Sequence, residues 1–238
     1  LNIIRLMEWS CYRSSQSILF LSEYTRSHFM NYYPFKKPRM RIIPGGVDIN
    51  KFCPSESDEV SEIRKGLNIP RDYKILLTVR RLEARMGLEN LITAVSAIIH
   101  RSPELKFKLL IVGKGSLNEK LKSQATLSGA SDRICFLGFI PDNKLPFYYA
   151  AADIFIMPTE FIEGFGLATV EAMSTGLPVL GTPVGGTIEI LKSLDPELLF
   201  ENSTAQSMAN KMEMVLKNPS RVLALKSKCR ENATEKYN

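Results

Sequence analysis

"KLLIVGKGSLNE", residues 108–119, joins an unbroken apolar run to a pair of glycines and then to a polar, helix-prone stretch. A half-exposed strand alternates apolar and polar residues, whereas Leu109, Leu110, Ile111 and Val112 are apolar in succession. Such a run suits a strand buried on both faces, as in a parallel sheet covered by helices. Gly113 and Gly115 mark a tight strand-to-helix turn, and Ser116 with Glu119 three residues later reads as a capping box opening a helix.

The same alternation runs through the chain. Apolar runs stand at 18–22, 40–44, 74–79, 133–138, 154–159, 178–182 and 198–200. Between two of them, Leu88, Leu91, Ile92, Val95, Ile98 and Ile99 recur at helical spacing. "TAQSMANKMEMVLKN" (204–218) and "SRVLALKSKCRENATEKY" (220–237) read as two terminal helices. The fold class is therefore α/β, and the six runs from 74 to 200 predict one complete doubly wound parallel-sheet domain. The two earlier runs are too few for a domain and read as the tail of a preceding one. The divisions expected are 1–44 for that tail, 45–72 for a linker, 73–218 for the complete domain and 219–238 for a terminal helix. A first residue Leu1 and a stop inside a helical pattern read as a piece cut at both ends.

Composition excludes several classes. The 238 residues are 45% hydrophobic and 24% charged, ordinary for a globular protein. No apolar run approaches the roughly 18 residues that span a bilayer, and no signal-peptide layout opens the chain. Cys11, Cys53, Cys135 and Cys229 are scattered without metal or redox spacing and read as reduced thiols of a cytoplasmic protein. The net charge is +6, densest in "PFKKPRMR" with Lys36, Lys37, Arg39 and Arg41. This stretch reads as a solvated loop, with anionic lipid head groups at a membrane periphery as its alternative partner. No aromatic-and-basic array accompanies it, so nucleic acid is not expected.

Ligands of open parallel sheets sit beyond the carboxyl ends of the strands. Gly113 and Gly115 lie at one such end, although a tight turn needs glycine whatever it binds. They are not a dinucleotide fingerprint, since Asn118 stands where the third glycine belongs. Arg81 leaves the end of 74–79, where a guanidinium matches a bidentate phosphate clamp. "EGFGLATVEAM" (163–173) places the turn Gly164-Phe165-Gly166 before an apolar helix, and free amides there suit an anion. Glu171 is the only charge from Gly164 to Ile188. A buried carboxylate requires donors, and protein groups or sugar hydroxyls would serve.

At these residues the chain resembles the retaining glycosyltransferases of family 4, whose GT-B fold sets two Rossmann-like domains face to face. The pattern Glu-x7-Glu appears as Glu163 and Glu171, followed by "EAMSTGLPVLGTPVGGTIE" ending at Glu189. "FLGFIPDNKLPFYYAAADIFIMPT" and "RIIPGGVDINKFCP" resemble the segment before it and the interdomain linker, with Gly45 where asparagine is usual. The resemblance implies that Glu171 binds the ribose of a nucleoside-diphosphate sugar and that Glu163 contacts the transferred sugar. It implies a distal phosphate at the amides of Phe165, Gly166 and Leu167 opposite Arg81, with Gly164 also in the substrate site, and a base flanked by Leu137, Gly138 and Ile140. The usual second cation, a lysine, is replaced by Met86, with Arg85 adjacent and Arg80 in place of a small residue.

The reaction implied is transfer of a sugar to an acceptor hydroxyl with retained configuration, without metal or other cofactor. Preorganised donors at the departing diphosphate would act as an oxyanion hole does, each contributing on the order of 3 kcal/mol. The acceptor, a glycan or lipid-linked sugar, would meet the missing N-terminal domain, which would also supply the catalytic histidine; His28 and His100 read as surface or core residues. Other readings are a non-catalytic donor-binding module with a separate partner and part of a GT-B epimerase. A nicotinamide dehydrogenase lacks its fingerprint, and a pyridoxal-phosphate phosphorylase lacks a lysine in the 154–190 region.

Overall fold

The structure, a computed structural model, describes residues 2–34, 39–55 and 58–238. Lys36 and Lys37 of the basic stretch lie outside the described residues, while Arg39 and Arg41 are exposed. The chain begins with α1 (Asn2–Ser14), β1 (Ile18–Phe20), α2 (Glu23–Tyr32) and β2 (Met40–Ile42). β1 and β2 pair in parallel, Ile18 opposite Met40. Ser22 caps α2: its Oγ accepts from the Thr25 amide, and Thr25 Oγ1 accepts from the Ser22 amide. Packing of Tyr12, Phe20, Phe29 and Tyr33 holds the first helices on this two-stranded sheet.

The complete sheet follows, built from β3 (Lys74–Val79), β4 (Phe107–Val112), β5 (Ile134–Gly138), β6 (Ile154–Met157) and β7 (Val179–Gly181). All its pairings are parallel, in the order β5-β4-β3-β6-β7. Ile75, Leu76 and Leu77 of β3, Leu109 to Val112 of β4 and all of β6 are buried without alternation. Both faces are covered, which is why the apolar runs are continuous. This is the expected GT-B architecture: one complete Rossmann-like sheet domain plus a small N-terminal tail.

Helices α4 (Leu88–Arg101) and α5 (Asn118–Leu127) follow β3 and β4; α6 (Leu145–Ala151), α7 (Leu167–Ser174) and α8 (Gly186–Leu194) follow β5, β6 and β7. Leu88, Leu91, Ile92, Val95 and Ile98 of α4 are buried as spaced, and Ile99 is half-buried. The chain ends in α9 (Ala205–Lys217), α10 (Ser220–Leu223) and α11 (Lys226–Lys236), with α9 on α4 and α11 on α7. Between the two sheets lies α3 (Asp58–Gly66), packed on α6. The stretch before α3 is fastened down as well: Arg230 donates to the carbonyls of Ile49 and Phe52, and the Val47 amide donates to Tyr237.

Three sequence expectations need correction. The stretch 220–237 is not one helix but two, α10 and α11, parted at Ala224 and Leu225. The run 198–200 contributes only an isolated parallel bridge, Leu199 to Gly181, because its first residue, Leu198, is taken into the 3-10 helix Pro196–Leu198. The capping box at Ser116 and Glu119 does not form. Glu83 takes both the Ser116 amide and hydroxyl, at 3.1 and 2.7 Å, and α5 starts later, at Asn118.

Candidate functional site

The strand order reverses between β3 and β6, opening a crevice at their carboxyl ends. β3 runs out into Arg80 and Arg81, β6 into the loop 158–166. The loop after β4 lies directly on the loop after β3: the Arg80 amide donates to Val112 and the Leu82 amide to Lys114. Gly113 has φ +138°, and a Cβ there would stand 1.7 Å from the Arg80 carbonyl oxygen; one at Gly115 would stand 2.3 Å from that of Leu82. This close approach accounts for both glycines, whose structural service is to place the two arginines.

Arg80 turns inward. Its Nη2 lies 2.7 Å from Glu163 Oε2, and Nη1 donates to Thr159 Oγ1. The sulfurs of Met157 and Met86 flank the guanidinium at 3.0 and 3.1 Å. The Arg80 side chain is 5% exposed and that of Glu163 14%, so this is a buried ion pair. Burial pulls the Arg80 pKa down, and Glu163 pulls it back up. Arg81 is exposed beside it. Arg85 is occupied by the loop itself, with Nη1 donating to the Ile162 carbonyl at 2.6 Å. Met86, at the position of the usual lysine, is buried against Arg80, where a second cation would face like charge at close range.

Gly166, with φ +97°, is the N-cap of α7, and no side chain among the described residues caps the first amides. Gly164 and Phe165 lead into that turn and Leu167 opens the helix. Gly45 lies against it: a Cβ there would come within 2.9 Å of Phe165 and Leu167, which explains the absence of asparagine. Farther along α7, Glu171 is half-buried and accepts from the Tyr149 hydroxyl at 2.8 Å. Burial pushes the Glu171 carboxyl up, while the Tyr149 bond and Lys51 pull it down. Tyr149 itself, fully enclosed beside that carboxylate, is pushed well above the usual tyrosine range.

Leu137 and Gly138 line a cavity of about 450 Å³ beyond β4 and β5, together with Lys114, Gly115, Asn118 and Lys122. Ile140 lies just past it, half-buried. His28 is exposed and stacks on Tyr24, and exposed His100 donates to the Ser96 carbonyl. Among the described residues no group of three or more His, Cys, Asp or Glu is placed to hold a metal ion.

Sequence reasoning missed the tie between the two sheets. Ser22 Oγ donates to the Gly164 carbonyl at 2.5 Å, and Glu189 accepts from the amides of Glu23 and Tyr24 at 2.9 and 2.7 Å. Glu189 thus caps α2 from α8, beside the contact of Ser22 with Gly164. The spacing Gly185-Gly186 to Glu189 was its one visible signal. Glu189→Ala is expected to cost about 1 kcal/mol, a helix-cap effect. Hydrogen exchange at the Glu23 and Tyr24 amides should speed up; unchanged exchange would show that α2 holds without this carboxylate.

The model of the family described as glycosyl transferases group 1 matches residues 59–236. A D-inositol 3-phosphate glycosyltransferase of Corynebacterium urealyticum is 31% identical over 81% of this chain and 46% of its own. Sucrose-phosphate synthase of Thermosynechococcus elongatus superposes with a TM-score of 0.84 at 26% identity, over 100% of this chain and 58% of its own. An Anabaena protein crystallised with UDP and glucose superposes with a TM-score of 0.84 at 23% identity, over 95% of this chain and 60% of its own; that likeness concerns the fold. The chain spans about half the length of the curated relatives it matches.

Proposed function

The chain belongs to the group 1 glycosyl transferases, and from that membership we propose that it is the donor-binding part of a retaining glycosyltransferase. It would take a nucleoside-diphosphate sugar, the sugar passing to an acceptor hydroxyl. The carrying observation is the meeting at the β3–β6 crevice of a helix N-terminus without a side-chain cap with Glu163 before it and Glu171 within it. In this reading the α7 amides take the distal phosphate, Arg81 approaches from the β3 end, and Glu171 accepts from the ribose hydroxyls. Glu163 accepts from the transferred sugar, and the cavity by Leu137 and Gly138 receives the base.

The acceptor would be met by a further domain facing this crevice. Support comes from the two-stranded sheet of β1 and β2 and from Ile3, Ile4, Leu6 and Met7, all exposed on α1. Residues 1–44 would belong to that domain, 45–72 to the connection and 73–218 to the donor domain, with 219–238 as a terminal helical segment braced on it.

Calorimetric titration with UDP, GDP and their hexose conjugates tests the reading. One nucleotide should bind, and Arg81→Ala should weaken it about tenfold or more, the loss of a charge-assisted phosphate contact. Failure of every nucleotide, or undiminished binding by Arg81→Ala, would overturn the assignment.

A further inference from the structure

Arg80 is a buried guanidinium at the head of the crevice that the phosphate and ribose contacts leave unused. Its acceptors are specific. Nη2 meets Glu163 Oε2 at 2.7 Å, and the Thr159 hydroxyl that Nη1 reaches lies 3.0 Å from the same Oε2. One carboxylate oxygen is thus gripped from two sides. Oε1 accepts no hydrogen bond among the described residues. The remaining neighbours, the thioethers of Met157 and Met86, are weak acceptors that fill space without adding charge. The nearby cation Arg85 is turned onto the Ile162 carbonyl.

We propose that Arg80, which rests for its purpose on the donor-site reading above, is the positioning residue for Glu163. With Thr159 it clamps Oε2, fixes the rotamer and leaves Oε1 to accept a hydroxyl of the transferred sugar. A carboxylate attached at a loop would otherwise sample several rotamers and lose side-chain entropy on meeting a ligand. Clamping removes that cost before the donor arrives. Met86 belongs to the same device: its uncharged thioether accepts weakly from Nη2 and brings no charge beside the Arg80–Glu163 pair. The ligand class that gains is a sugar carrying a free hydroxyl at that point; the nucleoside diphosphate portion gains nothing from it.

The test compares UDP with UDP-glucose, and GDP with GDP-mannose, by calorimetry on the 238-residue chain. Arg80→Met should leave the bare diphosphate within about twofold while weakening the hexose conjugate about tenfold, as expected for one hydrogen bond to a charged group. Arg80→Lys should keep most of the conjugate's affinity. Thermal unfolding checks each variant. Should Arg80→Met fail to fold, Thr159→Val carries the comparison, with a selective loss of about threefold for a neutral partner. Equal weakening of diphosphate and conjugate, or no change in either, overturns the positioning role. A parent chain that binds neither nucleotide refutes the donor-site reading and this role with it, whereas binding with non-selective losses refutes this role alone.

Discussion

Glu171→Gln should abolish most nucleotide binding while leaving the unliganded fold as stable as before or more so. The two effects share one cause. Burial pushes the Glu171 carboxyl up, so the folded chain holds its proton more tightly than the unfolded chain does. A raised acid contributes its stability at low pH and loses it as pH rises through the ordinary carboxylate range. At neutral pH the ionised Glu171 is therefore a cost to the fold, with the Tyr149 hydroxyl as the donor that offsets it in part. Glutamine keeps an acceptor for Tyr149 and removes the charge. Denaturant titrations from about pH 4 to pH 7 should show the variant gaining on the parent across that window. Binding moves the other way: hydrogen bonds to a charged acceptor contribute about 1.5–3 kcal/mol each, so losing them weakens the nucleoside diphosphate about 10- to 100-fold. A variant that binds like the parent, or that loses ground to it as pH rises, would refute the role given to this carboxylate.

Glu171 was legible in the sequence because it is the single charge from Gly164 to Ile188, and an isolated charge on an apolar helix poses its own question. The strands were legible for a similar reason, since continuous burial leaves continuous apolar runs. What the sequence hid depends on partners far along the chain. Arg80 and Glu163 are 83 positions apart, and neither residue alone says that one neutralises the other. Glu189 reaches α2 across 166 positions. Ser116 and Glu119 had the spacing of a cap, but Glu83, from another loop, takes the Ser116 amide and hydroxyl, while Glu119 accepts from Asn118 and Lys122. The run 198–200 was apolar enough for a strand, yet the 3-10 turn at Pro196–Leu198 leaves it room for one bridge to β7. Local pattern thus places elements, and contacts between loops decide which side chains work together.

Glu163→Ala is expected to destabilise the chain by about 3 kcal/mol, the scale of breaking a buried ion pair by removing one partner. In a chain of this size that lowers the unfolding midpoint by about 6–12 °C. The magnitude follows from burial: Arg80 is 5% exposed, and without Glu163 its guanidinium keeps, among the described residues, Thr159 and two sulfurs as acceptors. A surface pair such as Lys65–Glu62, with side chains 78% and 67% exposed, is worth a few tenths of a kcal/mol at most by comparison. Arg80→Met combined with Glu163→Leu should recover most of the loss, because two apolar side chains of similar volume leave no charge uncompensated. Differential scanning calorimetry on the two single variants and the double variant closes the cycle. If the double variant unfolds as early as Glu163→Ala, the cost lies in packing rather than in a stranded charge. If Glu163→Ala costs no more than a surface pair, the guanidinium finds other acceptors and the pair does not order this end of the crevice. Recovery in the double variant, with nucleotide still bound, would separate the structural service of the pair from its service to the sugar.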